Sequence, residues 1–214
     1  MKPVAKAYGP VRHEQAVVRH LPVPEGDVAL VSALRGGRPG AADAFFQRYF
    51  DHVKRVVVRV MGADCEIEDI IHDVFLDALR SIDRLKEPQA LKMWLTSIAL
   101  FKARRVLRQR SRRSWLRLAE PEELERLGVD GSSETAEAMR CTYLVLNELP
   151  VDERIAFALR FIDGMELVEL AEACRTSLAT VRRRLQRAEE RFVRKALRYP
   201  VLSARIAGGS RWTP

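Results

Sequence analysis

Residues Glu166 to Phe192 read Glu-Leu-Val-Glu-Leu-Ala-Glu-Ala-Cys-Arg-Thr-Ser-Leu-Ala-Thr-Val-Arg-Arg-Arg-Leu-Gln-Arg-Ala-Glu-Glu-Arg-Phe. In the second part Leu178, Val181, Leu185, Ala188 and Phe192 recur at three- and four-residue steps, which places them on one helix face. Arg182, Arg183, Arg187, Arg191 and Arg194 occupy the other face. Ser177 stands where an N-cap belongs, its hydroxyl able to accept a bond from an unpaired first-turn amide. Upstream, Leu167, Leu170, Ala171 and Cys174 form the apolar side of a shorter helix, and the small Ala171 lets a second helix cross closely. Two short helices with a tight turn and a second helix basic on one side make a helix-turn-helix. Such a unit reads bases with the N-terminal residues of its second helix and holds phosphates with flanking arginines. The bland alternative is an amphipathic helix with a solvated basic face.

Working outward, the chain has 214 residues, room for one large domain or two small ones. An apolar fraction of 47% supports a packed core. A net charge of +8 and a pI near 9.8 favour a polyanionic partner, nucleic acid or an anionic membrane surface. No apolar run approaches the roughly 20 residues that span a bilayer, and the N-terminus lacks a signal-type apolar stretch. These features predict a cytoplasmic chain without membrane insertion. Cys65, Cys141 and Cys174 are odd in number and widely spaced, so the expectation is reduced, buried thiols and no zinc or disulfide framework.

The pattern predicts an all-α protein of two small helical domains on a flexible linker. Residues 1–25, with Pro3, Pro10, Pro22 and Pro24, read as a disordered leader. Residues 26–113 form the first domain. Asp27 is placed to cap a short helix carrying Val28, Val31 and Leu34. Ala41 to Met61 is a strong helix with Phe46, Tyr49, Phe50, Val53, Val57 and Val60 in one stripe, stopped at Gly62. Asp64 to Leu85 buries Ile67, Ile70, Ile71, Val74, Phe75 and Leu79, and presents Glu66, Glu68, Asp69, His72, Asp73 and Asp77. Glu87-Pro88 opens a helix with Leu91, Leu95, Ile98 and Ala99 inward, which runs into Lys102, Arg104, Arg105, Arg108, Arg110, Arg112 and Arg113. That density of cations suits a phosphate track. Residues 114–134 read as an acidic linker, partly helical over 122–127. Residues 135–198 form the second domain: a helix to Leu149, then one opened by Asp152 and Glu153 at its positive end, then the helix-turn-helix. Residues 199–214 read as a flexible tail.

Glu68 and His72, one turn apart, are the best metal pair the sequence offers. The remaining histidines, His13, His20 and His52, are not placed to complete it, so no metal is expected. There is no phosphate loop, nucleophile elbow or His-Glu-x-x-His, and no paired carboxylates stand opposite the arginine-rich helices for acid–base work. Neither catalytic residues nor a cofactor are expected, and an enzyme acting alone is not indicated.

The order of these pieces resembles the bacterial RNA polymerase sigma factors of the extracytoplasmic function (ECF) type, group 4 of the sigma-70 superfamily, over about Asp27 to Arg198. Leu149-Pro150, Asp152-Glu153-Arg154, Leu159-Arg160-Phe161 and Gly164 are similar to that family's run into its helix-turn-helix. Leu170-Ala171-Glu172, Ser177 to Val181, Arg184-Leu185 and Arg187-Ala188 resemble its DNA-reading motif. Glu68 to Leu76 resembles its polymerase-clamp segment, with His72 where glutamine is usual. Trp94-Leu95 with Ile98-Ala99 resembles its minus-ten melting segment.

The resemblance implies core RNA polymerase and promoter DNA as partners, with an anti-sigma factor as a further candidate. It implies upstream-element contacts from Ser177, Ala179, Thr180, Arg182, Arg183, Arg184 and Arg187. Downstream-element contacts fall to Trp94, Ser97, Phe101, Lys102, Arg104, Arg105 and Arg108, and polymerase contacts to Asp69, His72, Asp73 and Phe75. Three positions depart from the pattern: Phe101 for asparagine, Arg105 for aspartate and Arg175 for the glycine of the turn. Phe101 either stacks on a flipped base or joins the core. A left-handed backbone at Arg175 carries a steric cost. Two other readings stand beside this one: a stand-alone helix-turn-helix regulator that binds a palindrome as a dimer, and a basic protein of membrane surfaces or RNA.

Overall fold

The computed structural model describes residues 25–62, 64–113 and 134–207. Residues 1–24 of the expected leader and 114–133 of the expected linker, with the helical stretch expected at 122–127, lie outside the described residues. All regular structure among the described residues is helical: α1 Gly26–Arg35, α2 Ala41–Met61, α3 Ile67–Ser81, α4 Leu91–Arg113, α5 Glu134–Asn147, α6 Val151–Phe157, α7 Leu167–Ala173, α8 Leu178–Ala196 and α9 Pro200–Ala207. Short 3-10 turns at Ile82–Arg84 and Pro88–Ala90 join α3 to α4. A π turn at Ala158–Ile162 follows α6, with the amide of Asp163 donating to the carbonyl of Ala158.

Helices α2, α3 and α4 pack on one another around Phe45, Val53, Val57, Val74, Leu95 and Ala99, all fully or almost fully buried. Tyr49, Val53, Val57 and Val60 of the expected α2 stripe are buried, but Phe45 takes the inward place expected of Phe46, which is 43% exposed, its ring 4.8 Å from that of Phe75. Asp27 lies in the first turn of α1, not at its cap, and its carboxylate accepts from the Tyr49 hydroxyl at 2.6 Å. Val28 is exposed and Leu30 takes the inward place. Cys65 is exposed, contrary to expectation, whereas Cys141 and Cys174 are buried.

In the second half, α5, α6, α8 and α9 enclose Leu146, Phe157, Phe192 and Leu202, with the Phe157 and Phe192 rings stacked at 4.4 Å. The tail expected to be flexible is therefore corrected over 200–207. Pro200, with φ fixed in a helix-compatible range, opens α9, and Leu202, wholly buried, anchors it.

The two halves, expected as two small helical domains joined by a linker, also share buried surface. Ile155, Leu159, Leu170, Val181 and Leu185 of the second half belong to the same buried cluster as α1–α4. Helix α4 packs on α6 and α7, and α2 on the π turn. Burying continuous apolar surface is the dominant favourable term in association, and binary patterning reports an inward face without saying which surface covers it.

The turn between α7 and α8 shows how the sequence meets a geometric demand. Thr176 N–H donates to the carbonyl of Ala171 at 2.9 Å and Arg175 N–H to that of Glu172 at 2.9 Å, the pair of bonds that closes a Schellman motif. Arg175 adopts φ 50°, alone among the described non-glycine residues in having positive φ. The tight turn is thus kept, at a steric cost of roughly 1–2 kcal/mol.

Two outcomes are expected. Arg175→Gly removes the left-handed strain while adding unfolded-chain entropy, and should raise Tm by a few degrees. An unchanged or lowered Tm in calorimetry counts against strain at this turn. His52 on α2 has its Nε2 2.7 Å from Thr96 Oγ1. Burial, with Lys92 and Arg55 nearby, lowers its pKa from 6.5 to about 4. Between those values the unfolded chain binds more protons, so stability present above pH 6.5 is lost as pH falls toward 4. Tm measured across this window should fall, and less steeply in His52→Gln.

Candidate nucleic-acid interface

Helix α8 is built to present one face. Val181, Leu185, Ala188, Phe192 and Ala196 are buried along it. Ser177 Oγ accepts from the Thr180 amide at 3.2 Å and lies 2.9 Å from the Thr180 hydroxyl, so the cap is made. The capping contact ties Thr180, half-buried, to the cap itself. Ala179, Arg182, Arg183 and Arg187 are exposed on the outer face near the N-terminus. Arg184 does not join them; its guanidinium turns back to Asp152, 3.3 Å away. Helix α7 is fixed in front by Glu169, whose carboxylate accepts from the Glu166 amide at 3.0 Å.

The cations of α4 divide in two. Lys102, whose side chain is 12% exposed, reaches Asp77 at 2.7 Å and Asp73 at 3.4 Å on α3. Arg104 Nε is 2.9 Å from Asp152 Oδ1, an ion pair without hydrogen-bond alignment. Arg110 forks onto Asp64 and also pairs with Glu66 at 2.5 Å, which pushes its pKa further up. Arg110 therefore staples α4 to the start of α3 and is not an open phosphate contact. Arg105 is exposed, and Arg108, 56% exposed, pairs with Asp152 at 3.3 Å. The side chains of residues 112 and 113 lie outside the described residues.

Phe101 is 60% exposed, which settles it outside the core. With the half-buried Trp94 it lines a recess of about 620 Å³ between the end of α3, α4 and the α7–α8 turn. Ser97 is buried and its hydroxyl donates to the Met93 carbonyl at 3.2 Å, although it also borders the recess. Phe101, Arg105 and Arg108 follow one another at four- and three-residue steps, so an aromatic ring and two cations share one exposed face.

On α3, Asp69 and His72 are exposed and Asp73, 59% exposed, points outward toward Lys102. Phe75 is 5% exposed; its ring meets Phe45 at 5.3 Å edge-on and buttresses the helix from inside. Among the described residues no group of histidine, cysteine and carboxylate side chains is placed to hold a metal ion, and no helix is long and apolar enough to cross a membrane.

Sequence reasoning misses the roles of Asp152, Arg154 and Tyr143. Its pattern gives Asp152 only a helix start; in the structure this residue collects Arg104, Arg108 and Arg184. Arg154, 4% exposed, donates from Nε to the Val60 carbonyl at 2.9 Å and from Nη2 to that of Met61 at 2.7 Å. The Tyr143 hydroxyl donates to the Arg59 carbonyl at 3.1 Å and more weakly to that of Val58 at 3.4 Å. An arginine on the inward side of a predicted helix, at Arg154, is the one signal the sequence carries.

Two family models match the chain: Sigma-70 region 2 over residues 45–113 and Sigma-70 region 4 over residues 139–192. Together they span more than half of it. The chain is 28% identical to the ECF RNA polymerase sigma-E factor of Haemophilus influenzae, over 79% of this chain and 94% of the relative. Its identity to the Escherichia coli sigma-E factor is also 28%, over 77% and 91%. Among solved structures, CnrH in complex with the cytosolic domain of CnrY is similar in fold, with a TM-score of 0.55 and 22% identity over 78% of this chain and 94% of that one. The sigma factor RpoE in complex with the anti-sigma factor NepR from Bartonella quintana gives a TM-score of 0.51 and 20% identity over 73% and 98%.

The outer face of α8 makes a direct prediction. Replacing Arg182 and Arg183 together by alanine should weaken binding to duplex carrying the upstream element at least tenfold, since one base contact discriminates by about 1–3 kcal/mol. It should also flatten the dependence of affinity on salt by about one unit of slope for each phosphate no longer held. Fluorescence anisotropy over a salt series measures both, and unchanged affinity would reassign the reading face.

Proposed function

This chain belongs to the ECF sigma factors of the sigma-70 family, and from that membership we propose how its own residues bind core RNA polymerase and promoter DNA to direct transcription initiation. Residues 26–113 act as the polymerase- and minus-ten-binding unit, residues 135–198 as the upstream-element unit, and 114–134 as their connection. Asp69, His72 and Asp73 dock on the polymerase, with Phe75 holding α3 rigid from beneath. Ser177 and Thr180 set the start of the reading helix, and Ala179, Arg182, Arg183 and Arg187 meet the upstream duplex. Trp94, Phe101, Arg105 and Arg108 engage the downstream element as it opens, with Lys102, Arg104 and Ser97 shaping that helix. The observation that carries this reading is the pairing, in one chain, of an exposed basic face on α8 with an exposed acidic face on α3.

Phe101 and Arg105 stand where the family pattern has asparagine and aspartate. An exposed ring stacks on an unpaired base whatever its hydrogen-bonding edge, by about 1–3 kcal/mol per base, and an exposed arginine adds attraction to the strand's phosphates. Downstream recognition by this chain therefore leans on stacking and charge more than on hydrogen-bond readout. Nucleotide addition belongs to the polymerase, so the chain is no enzyme itself, and it works in the cytoplasm where polymerase is. An anti-sigma factor is the expected regulator, in keeping with the likeness of fold to a sigma factor solved with an anti-sigma factor.

In vitro transcription with core polymerase and fragmented genomic template tests the reading. Discrete starts sharing two upstream motifs, dependent on the protein, are the expected result; tight palindrome binding with no new starts would favour a stand-alone regulator. Asp69→Arg with Asp73→Arg should lower polymerase affinity at least tenfold in a pull-down titration while leaving Tm within a few degrees. Unchanged affinity would remove α3 from the docking surface.

A further inference from the structure

Two cations where α3, α4 and the α7–α8 turn meet already have partners: Lys102 reaches Asp77 at 2.7 Å, and Arg104 Nε lies 2.9 Å from Asp152. Three others do not. Arg80 near the end of α3, Arg84 in the 3-10 turn after it and Arg175 in the turn before α8 are all exposed, and none forms an ion pair or a side-chain hydrogen bond with another described residue. All three border the same recess of about 620 Å³. Guanidinium groups gathered in a concave place without a counter-ion concentrate positive potential there, which draws in an anion.

The rest of the lining specifies the kind of anion. Trp94 and Phe101 of α4 bring two aromatic rings to the recess, and Phe101 is 60% exposed. A nucleobase stacks on such rings whichever base it is. Arginine forks match the oxygens of a phosphate two at a time. Ser97 and Ser81 also border the recess, and each hydroxyl donates back along its own helix, to the carbonyls of Met93 and Asp77. Their lone pairs are left to accept from a base amino group or a ribose hydroxyl. Among the lining residues Asp77 is the one carboxylate, and Lys102 offsets it. Burial pushes the Cys174 thiol pKa up, so that lining side chain stays neutral. The volume falls in the range of small-molecule sites, roughly 300–1,000 Å³. An inorganic anion would leave both rings uncovered, and a nucleoside without phosphates would leave the three guanidinium groups unmatched.

We propose that this recess binds a free nucleoside 5′-di- or triphosphate, with its base on Trp94 and Phe101 and its phosphates on Arg80, Arg84 and Arg175. The proposal goes beyond the sigma-factor reading and does not depend on it, because it concerns the chain alone, without polymerase or promoter. Stacking is indifferent to base identity, so adenine and guanine nucleotides bind alike.

The test uses the full chain and ATP labelled on its ribose with a fluorophore, followed by anisotropy and displaced by unlabelled competitors. Saturable binding is expected, displaced equally by ATP and GTP and at least tenfold less well by adenosine or inorganic triphosphate. Arg84→Ala with Arg175→Gly should weaken binding at least tenfold, and Phe101→Ala severalfold, with helicity by circular dichroism unchanged. Arg38→Ala with Arg194→Ala removes the same charge from exposed positions outside the recess and should leave affinity unaltered. Equal losses in the two arginine pairs, or displacement by inorganic triphosphate as strong as by ATP, would mean a diffuse attraction of polyanions and overturn the site. Absence of saturable binding at millimolar nucleotide would overturn it as well. A labelled short single-stranded DNA, titrated in parallel, separates the other source of the same chemistry. If the strand binds through Arg84 and Arg175 and ATP does not, the recess serves opened DNA alone and the proposal fails.

Discussion

A guanidinium buried at the end of a helix holds this structure together. Arg154 is almost wholly shielded from water, which costs several kcal/mol for an isolated ion. Burial lowers its pKa to about 10, which still leaves it a cation at neutral pH. What offsets the cost is geometry. The planar fork reaches two adjacent carbonyls of α2 and the Asn147 side chain together. Those carbonyls, left without donors in a buried place, would themselves cost about 1–3 kcal/mol each. Each side of the contact thus removes a penalty of the other, and the two halves of the chain become one cored body around it.

The same logic governs the charge of the molecule. A net charge of +8 suggests a surface covered in unpaired cations. In the structure several are committed to structural work: Arg110 on Asp64 and Glu66, Lys102 on Asp73 and Asp77, Arg191 on Glu153, Lys195 and Arg198 on Glu148. Exposed pairs of this kind contribute little stability singly. Their effect is to select which cations stay available to a polyanion: Arg182, Arg183 and Arg187 on α8, and Arg105 on α4. Part of the basic composition is thus neutralised by acids, while these arginines stand on exposed faces.

The departures from the family pattern also fall into order once exposure is known. Phe101 and Arg105 both lie on the outer side of α4, where a change of chemistry alters what is touched without disturbing the core. Arg175 lies in a turn whose two backbone bonds hold the left-handed conformation whichever residue occupies it. The first two change what the outer face of α4 presents, and the third puts a left-handed φ on a non-glycine residue.

Helix identity was legible in the sequence because a local period suffices for it: the apolar face of α8, its Ser177 cap and the Gly62 and Gly164 stops depend on residues a few positions apart. The all-α class, the acidic outer face of α3 and the basic outer face of α8 follow from the same local rules. The choice between Phe45 and Phe46 was not legible, since adjacent apolar residues lie about 100° apart on a helix and only the neighbouring helices decide which turns inward. Helix α9 hid behind its proline and depends on a pocket between α5 and α8 for Leu202. Least legible were Asp152, Arg154 and Tyr143, whose partners lie up to 94 positions away. Sequence by itself determined which faces are apolar, acidic and basic, because those are properties of spacing. Only the tertiary structure decided which faces meet, because burying a charge or a carbonyl is favourable only where a distant partner arrives at hydrogen-bond distance.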